Sequence, residues 1–276
     1  MRKLTDVRFI NEKDYPELKK LWQTSFDDTD EELNSFFEKT VLPDNALAIF
    51  DGENPVSVLY MLESEIVFFG ERYSAYYVYA VCTHPDYRGK GLMTRLFDKL
   101  KEVSKKRGIA YLFLVPESET LFEMYKKQGF RNGFYYNEKS VCKPVAENVY
   151  NNSVKQISYG EYEKFSLKKS ENTAVAFLDE KAFNSFFSSV NGEVHSFSLE
   201  NGYALYLQND DTVTVYEYFG DEKEILNVVF SKTNAESVTV RIPSIDTKKA
   251  KPYGMYLPLG DYPEIKNAFF GISYST

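Results

Sequence analysis

The spacing of apolar side chains changes from a strand period to a helix period between residues 73 and 103. Residues 73–83 are rich in bulky β-forming side chains, which predicts a strand. Pro85 has no N–H to give to a ladder, so we expect the strand to end near His84. A helix is predicted next, because apolar positions recur at helical spacing. These positions are Leu92, Met93, Leu96, Phe97, Leu100 and Val103.

The chain before this point predicts two helices and a set of strands. A short strand is expected at 4–10, and amphipathic helices follow around residues 16–26 and 29–37. Residues 46–50 and 55–69 predict two more strands, because an Asp-Gly turn signal separates them. With the strand that ends near His84, they should form three adjacent antiparallel strands.

An acidic run at residues 27–32 begins the second of these helices. Negative side chains stabilise the positive end of a helix dipole, and we favour this explanation for the run. A second explanation stays open, in which the carboxylates form a collar that attracts a cationic substrate.

The chain after the central helix predicts a second strand of the same sheet. Residues 109–115 form a continuous apolar run, typical of a strand buried on both faces. The strand–helix–strand unit is therefore expected to be parallel and right-handed. A short helix capped by Ser118 or Thr120 follows. It should end at Gly129, before a closing strand over 134–141.

A polar segment rich in asparagine divides the chain into two predicted units, residues 1–145 and 153–276. The second unit repeats the pattern of the first weakly. Where the first has glycines and cations before its helix, the second has Gly220, Asp221 and Glu222. Those carboxylates would repel an anion. We therefore expect the second unit to bind no cofactor and to act structurally, or to shape a substrate pocket.

Composition narrows the classes of protein that fit. The chain has 276 residues, 43% of them hydrophobic, and a net charge of -8. Nucleic acid is an unsuitable partner for an acidic protein, whereas a cationic substrate suits one. The two cysteines make neither a disulfide framework nor a metal cluster. With no signal peptide and no membrane span predicted, we expect a cytoplasmic protein.

The turn between strand and helix carries the main chemical signal. Arg88, Gly89, Lys90 and Gly91 precede a helix whose first amides have no internal acceptor. Glycines let an anion approach the backbone, and the helix dipole and cations attract it. The turn therefore suits a phosphate or diphosphate, although an ordinary basic turn is the alternative. It has neither the Walker spacing nor the dinucleotide-binding fingerprint.

The wider sequence around the turn resembles motif A of the GNAT superfamily of acetyl-CoA-dependent N-acyltransferases. Arg88, Gly91 and the lead-in at residues 85–87 match that motif, while Met93 stands where a small residue is usual. The Gly-Leu-Met variant is similar to that of Eis-like tandem acetyltransferases. A second match is the Tyr-x-x-x-Gly-Phe ending of a later helix, here Tyr125 to Phe130. The resemblance covers roughly residues 1–143.

This resemblance implies an α/β fold, a GNAT domain followed by a degenerate GNAT-like domain, with no further C-terminal domain. It implies an N-acetyltransferase that passes an acetyl group from acetyl-CoA to a primary amine, expected to be a small molecule, by direct attack. Tyr125 would protonate the departing thiolate, no metal would be needed, and the oligomeric state is left open. The implied cofactor contacts are Val81, Cys82, Thr83, Arg88, Gly89, Lys90, Gly91, Leu92, Met93, Thr94 and Ser118.

The base that takes the proton from the amine is not evident in the sequence. The candidates are Glu63, Glu65, Glu117 and the terminal carboxylate of Thr276, and none is preferred. Cys82 and His84 share a strand face and could form a nucleophilic pair, although a packed cysteine is the better explanation. A catalytically silent acyl-CoA-binding protein, or a structural protein whose turn binds nothing, is the alternative to an enzyme.

Overall fold

The structure is a computed structural model. It describes residues 4, 6–144, 154–189, 194–209, 212–244 and 249–271, with the side chains of 186–189 excepted.

The first half of the chain alternates strands and helices as the sequence predicts. Its elements are β1 (Arg8–Phe9), α1 (Tyr15–Trp22), α2 (Asp30–Lys39), β2 (Ala46–Asp51), β3 (Asn54–Phe68), β4 (Glu71–Thr83), α3 (Leu92–Lys106), β5 (Tyr111–Leu114), α4 (Glu119–Lys127) and β6 (Arg131–Cys142). The first strand is much shorter than expected. Ser118 is the residue that caps α4, because its side chain accepts from the N–H of Leu121.

In the described part of the second half, four strands and two helices come first, and one further helix and two strands follow. Its elements are α5 (Tyr159–Ser170), β7 (Val175–Leu178), α6 (Glu180–Ser189), β8 (Val194–Leu199), β9 (Gly202–Asn209), β10 (Thr212–Phe219), α7 (Glu222–Lys232), β11 (Ser237–Pro243) and β12 (Lys251–Pro258). The sequence did not predict β7. The strand is short and apolar throughout, and periodicity does not distinguish such a run from a buried helix segment.

One mixed sheet contains strands from both halves, which confirms the predicted α/β class. Its order is β1-β2-β3-β4-β5-β12-β6-β11-β10-β9-β8, and β7 pairs with β3. The last strand, β12, lies between β5 and β6 and is antiparallel to both. On its other side β6 pairs with β11. The division into residues 1–145 and 153–276 stays a prediction, and the linker lies outside the described residues.

Helices cover both faces of the sheet and enclose separate apolar cores. On one face, Leu96, Phe97 and Leu100 of α3 pack with the inward side chains of β3 and β4. On the other face, Trp22 of α1 and Phe36 of α2 form a large aromatic core with Tyr60. A third core lies under α7. Since helices cover the parallel pair β4–β5 on both sides, β5 is buried throughout, as its apolar run predicts.

Candidate functional site

The central strand β4 is distorted where it approaches the turn. Tyr79 pairs with Tyr60 and Cys82 with Val58, so Ala80 and Val81 together face one residue of β3. This is a β-bulge, and Ala80 adopts a φ of 46° within it. A non-glycine residue in this region is strained, and such strain often occurs at functional sites.

The bulge lies where β4 and β5 separate. The parallel pairing of the two strands covers only Ala75 to Tyr77 on β4 and Tyr111 to Phe113 on β5. A cleft of about 580 Å³ opens between the strand ends. Parallel strands carry their sites at such carboxyl ends. The cleft lining includes Trp22, Phe26, Asp27, Asp28, Glu32, Tyr77, Tyr79, Val81, Glu117 and Tyr125.

Backbone groups of β4 point into this gap. The carbonyl of Cys82 accepts from Ser57 Oγ at 3.2 Å, and the N–H of His84 donates to Val56 O at 3.0 Å. Both groups therefore face β3. Because neighbouring residues of a strand direct their polar groups to opposite sides, the backbone of Thr83 faces away from β3, towards the gap.

The glycine turn connects this strand to α3. Gly89 and Gly91 adopt φ values of 74° and 73°, a left-handed conformation that glycine takes without strain. Within the described chain, the backbone N–H groups of residues 89–94 make no hydrogen bond, and the helical series begins with Arg95 N–H to Gly91 O. A row of unbonded amides at a helix N-terminus is suited to an anion.

Cationic side chains border the same turn. The Nε of Arg88 donates to Thr83 O at 3.1 Å, and Lys90 Nζ donates to Asp86 O at 2.8 Å. The hydroxyl of Tyr87 donates to Asp51 at 2.6 Å, which ties the turn to β2. Both cations are exposed, so their charge can reach a ligand on the turn.

Tyr125 of α4 lies at the opposite wall of the cleft from the first two helices. It is 6% exposed and packs against Phe97 and Phe130. Burial raises the pKa of the Tyr125 phenol, and the nearby Glu117 carboxylate raises it further. The phenol therefore keeps its proton at neutral pH and acts as a hydrogen-bond donor.

The structure weighs against a Cys82–His84 nucleophilic pair. Cys82 is 4% exposed, and burial raises the pKa of its thiol to about 12. A nucleophilic cysteine needs a thiolate at neutral pH. His84 instead accepts a hydrogen bond from the N–H of Asp86 at 3.3 Å.

Carboxylates from α2 and from the loop before it line the same cleft as Glu117. Asp28 accepts from the Trp22 indole at 2.7 Å. Glu32 accepts from the N–H of Thr29 at 2.8 Å in a capping box. The acidic run therefore caps the helix, as predicted, and also lines the cleft, as its alternative explanation requires.

Two other acidic candidates lie elsewhere. Glu65 pairs with Arg72 at 2.6 Å, and its strand segment is covered by β7, so it is not at an exposed sheet edge. Glu63 lies beside Asp179 in a separate depression. Thr276 lies outside the described residues.

Of the predicted cofactor contacts, Val81 is the one that lines the cleft, as Tyr125 does. Outside the lining are Cys82, Thr83, the turn residues 88–94 and Ser118, the N-cap of α4.

The second half has the same strand–helix–strand arrangement without the glycine turn. Strands β10 and β11 are parallel and are connected by α7. The side chain of Asp221 accepts from the N–H of Glu224 at 2.9 Å. A carboxylate therefore already occupies the position where an anion would bind the helix N-terminus, as the sequence predicts.

A sequence profile described as "Acetyltransferase (GNAT) domain" matches residues 6–133, which include the splayed parallel strands and the helix that starts with unbonded amides. Over these residues the chain is therefore similar to a GNAT acetyltransferase domain. A search of curated proteins gives no match.

Solved structures with similar folds cover nearly the whole chain. A GCN5-related N-acetyltransferase from Kribbella flavida is 15% identical over 92% of this chain and 70% of its own, with a TM-score of 0.71. One from Anabaena variabilis is 13% identical over 94% and 73%, with a TM-score of 0.72. Eis1 from Mycobacterium abscessus is 11% identical over 93% and 74%, with a TM-score of 0.64. These likenesses show the shared fold, including its second half.

None of the described helices combines the length and apolar character needed to span a membrane. Among the described residues, no group of three or more His, Cys, Asp or Glu side chains is placed to hold a metal ion.

Proposed function

We propose that the protein transfers an acetyl group from acetyl-CoA to a primary amine of a small molecule, by direct attack of the amine. The observation that carries this proposal is the row of unbonded N–H groups at residues 89–94, which follows β4, the strand whose residues 77–81 line the cleft. No other part of the described chain combines such a helix start with a strand splay. The proposed location is the cytoplasm.

The residues of the turn fit the diphosphate of coenzyme A. Gly89, Lys90 and Gly91, with the first helical residues Leu92, Met93 and Thr94, would bind it through their N–H groups. Arg88 would add charge beside it. From Val81 to Thr83, backbone groups that face the gap would bind the extended arm and stabilise the oxyanion that forms at the carbonyl.

Bound acetyl-CoA supplies an activated acyl thioester, and the chain supplies the surroundings for its reaction. The aromatic wall formed by Trp22, Phe26 and Tyr79 would exclude water from the attacking amine. Tyr125 would donate a hydrogen bond to the departing sulfur. Because the pKa of the phenol is raised above that of a thiol, about 8.5, complete proton transfer is unfavourable while Glu117 remains charged.

The test is a substitution that strains the turn without filling it. A Cβ at Gly91 would meet nothing within 4 Å, so Gly91→Ala changes the backbone preference alone. Gly108, past the other end of α3, has nearly the same φ and equally open surroundings, so Gly108→Ala is the matched control. We expect CoA affinity, measured by calorimetry, to fall about tenfold or more in Gly91→Ala and to stay unchanged in Gly108→Ala. The reason is that an alanine in the left-handed backbone conformation costs about 1–2 kcal/mol.

Thiol release from acetyl-CoA in the presence of an amine panel completes the test. Release of the CoA thiol with at least one amine supports the proposed acetyl transfer. Binding of CoA without release across the panel would indicate a silent binding protein. If the wild type gives no binding heat, or if both glycine variants bind like it, the proposed site is wrong.

A further inference from the structure

We propose that Glu117 is the residue that accepts the proton of the attacking amine and returns it to Tyr125. This assignment rests on the proposed function and adds to it the proton path. It also decides between the carboxylates that the sequence leaves open.

The first argument is position. Glu117 follows the end of β5 by a few residues and lines the cleft together with Tyr125 and Tyr79. An amine bound in this cleft would share it with these three side chains. Of the three internal candidates from the sequence, Glu117 is the one that lines this cleft.

The second argument is availability. Within the described part of the chain, Glu117 forms neither an ion pair nor a side-chain hydrogen bond, and it is exposed. Asp28 is bonded to Trp22, and Glu32 is bonded to Thr29 in the helix cap. Asp27, in the loop before α2, is the competing carboxylate, because it also lines the cleft. Glu117, however, is the carboxylate that raises the pKa of the Tyr125 phenol beyond the effect of burial.

The charged and titratable groups around Glu117 come from three elements. Tyr79 belongs to β4, Tyr125 to α4, and Asp28 and Glu32 to the wall formed by α2 and the loop before it. Burial raises the pKa of Tyr79, and the carboxylates of Asp28, Glu117 and Glu32 raise it further. Burial is also the main cause of the raised pKa of Tyr125, to which Glu117 adds. Glu117 is therefore close enough to act electrostatically on both phenols.

The proposed step balances without any further reactant. The amine nitrogen forms a bond to the acyl carbon, and its surplus proton passes to the Glu117 carboxylate. The carbon–sulfur bond breaks, and the sulfur takes the proton of Tyr125. Protonated Glu117 then returns a proton to the Tyr125 phenolate, directly or through water in the cleft, so both groups recover their starting states.

Charge couples the two proton transfers. Burial keeps the Tyr125 phenol protonated before reaction, and the Glu117 carboxylate disfavours its ionisation further. When Glu117 takes the amine proton, this repulsion disappears and the pKa of Tyr125 falls. The phenol thus becomes a stronger acid at the moment when the sulfur leaves, because the same amine has just neutralised its neighbour.

The kinetic experiment compares Glu117→Gln, which keeps the shape and removes the proton acceptor, with two other variants. Glu119→Gln is the control, because it neutralises a nearby acid outside the cleft lining. Asp27→Asn tests the competing carboxylate of the cleft. Thiol release from acetyl-CoA is followed with benzylamine, tyramine and 1,5-diaminopentane as probe amines. We expect kcat to fall about 10²–10³-fold in Glu117→Gln with unchanged CoA affinity. Glu119→Gln should keep the wild-type kcat, and Asp27→Asn should lose less of it than Glu117→Gln does.

A second readout does not depend on turnover. Alkaline titration of carbon-13-labelled tyrosine, with Tyr125 assigned through Tyr125→Phe, should show Tyr125 ionising at lower pH in Glu117→Gln than in the wild type. Glu119→Gln should leave this titration unchanged. An unshifted Tyr125 in Glu117→Gln would overturn the coupling.

The outcomes separate the two proposals. Wild-type turnover with undiminished activity in Glu117→Gln would overturn the role of Glu117 and leave the acetyltransferase standing. A larger loss in Asp27→Asn than in Glu117→Gln would move the proton acceptor to the other wall. Absence of turnover by the wild type with every amine, despite CoA binding, would overturn the proposed function and this step together.

Discussion

At the scale of single residues, the positive φ of the turn glycines can be predicted from the sequence, whereas that of Ala80 in the β4 bulge cannot. Gly89 and Gly91 are at positive φ, and their positions before an apolar helical stripe predict such a turn. Ala80 is also at positive φ, yet alanine gives no local signal for it. That conformation follows from the register between β3 and β4, which is a property of two strands together.

Cys82 provides a prediction at this scale. Burial raises the pKa of its thiol to about 12. The thiol therefore stays protonated over the pH range in which native proteins are usually handled, and burial keeps it out of contact with solvent. Cys142, in contrast, is exposed. We expect iodoacetamide at pH 8 to label Cys142 in the folded protein and to reach Cys82 only after denaturation, as measured by peptide mass spectrometry. Rapid labelling of native Cys82 would contradict the packed-thiol explanation.

At the scale of elements, the βαβ units of the two halves differ at the N-terminus of their helix. One start suits an anion, and the other already has a carboxylate there. In the first half, Gly91 precedes α3 and leaves the amides unbonded. In the second half, the Asp221 side chain satisfies an amide of α7. Local residue types decide this difference, so the sequence predicts both ends correctly.

The cap of α7 can be tested by stability. Asp221→Ala removes the acceptor for the Glu224 N–H, and loss of an N-cap typically costs about 1 kcal/mol. We expect the free energy of unfolding in urea to fall by about that amount, while CoA affinity stays unchanged because the cofactor turn is in the other half. Asp221→Asn preserves the cap and serves as the control. A loss of CoA affinity in Asp221→Ala would show that the second half contributes to the cofactor site.

At the scale of the whole molecule, the two halves are joined through exchanged strands. β12 lies between β5 and β6, and β6 pairs with β11. Most of the individual strands can be predicted from the sequence. Their order cannot, because the pattern of one strand does not specify a partner far along the chain. Of the cleft lining, the sequence singles out Val81, Glu117, Tyr125 and, as an alternative explanation, the acidic run before α2. Its aromatic residues Trp22, Phe26 and Tyr79 meet there only through tertiary packing.

This exchange predicts that residues 1–145 do not fold alone. Without the second half, β5 and β6 lose β12 and present unpaired edges, which favour aggregation. We expect the fragment to lack a cooperative unfolding transition and to bind no CoA by calorimetry. Co-expression with residues 153–276 should restore both properties, which controls for the break in the chain. A soluble fragment 1–145 that binds CoA like the full chain would contradict this dependence.

The position of β12 also has a consequence for synthesis on the ribosome. The nascent chain completes β4, the glycine turn, α3 and β5 early, but the gap beside β5 stays open until the segment that becomes β12 leaves the exit tunnel. During that interval the exposed strand edges are available to chaperones, and a message truncated before β12 would produce a chain that cellular proteases can recognise as unfinished. The sheet around β5 can therefore be completed only after the last part of the chain has been translated.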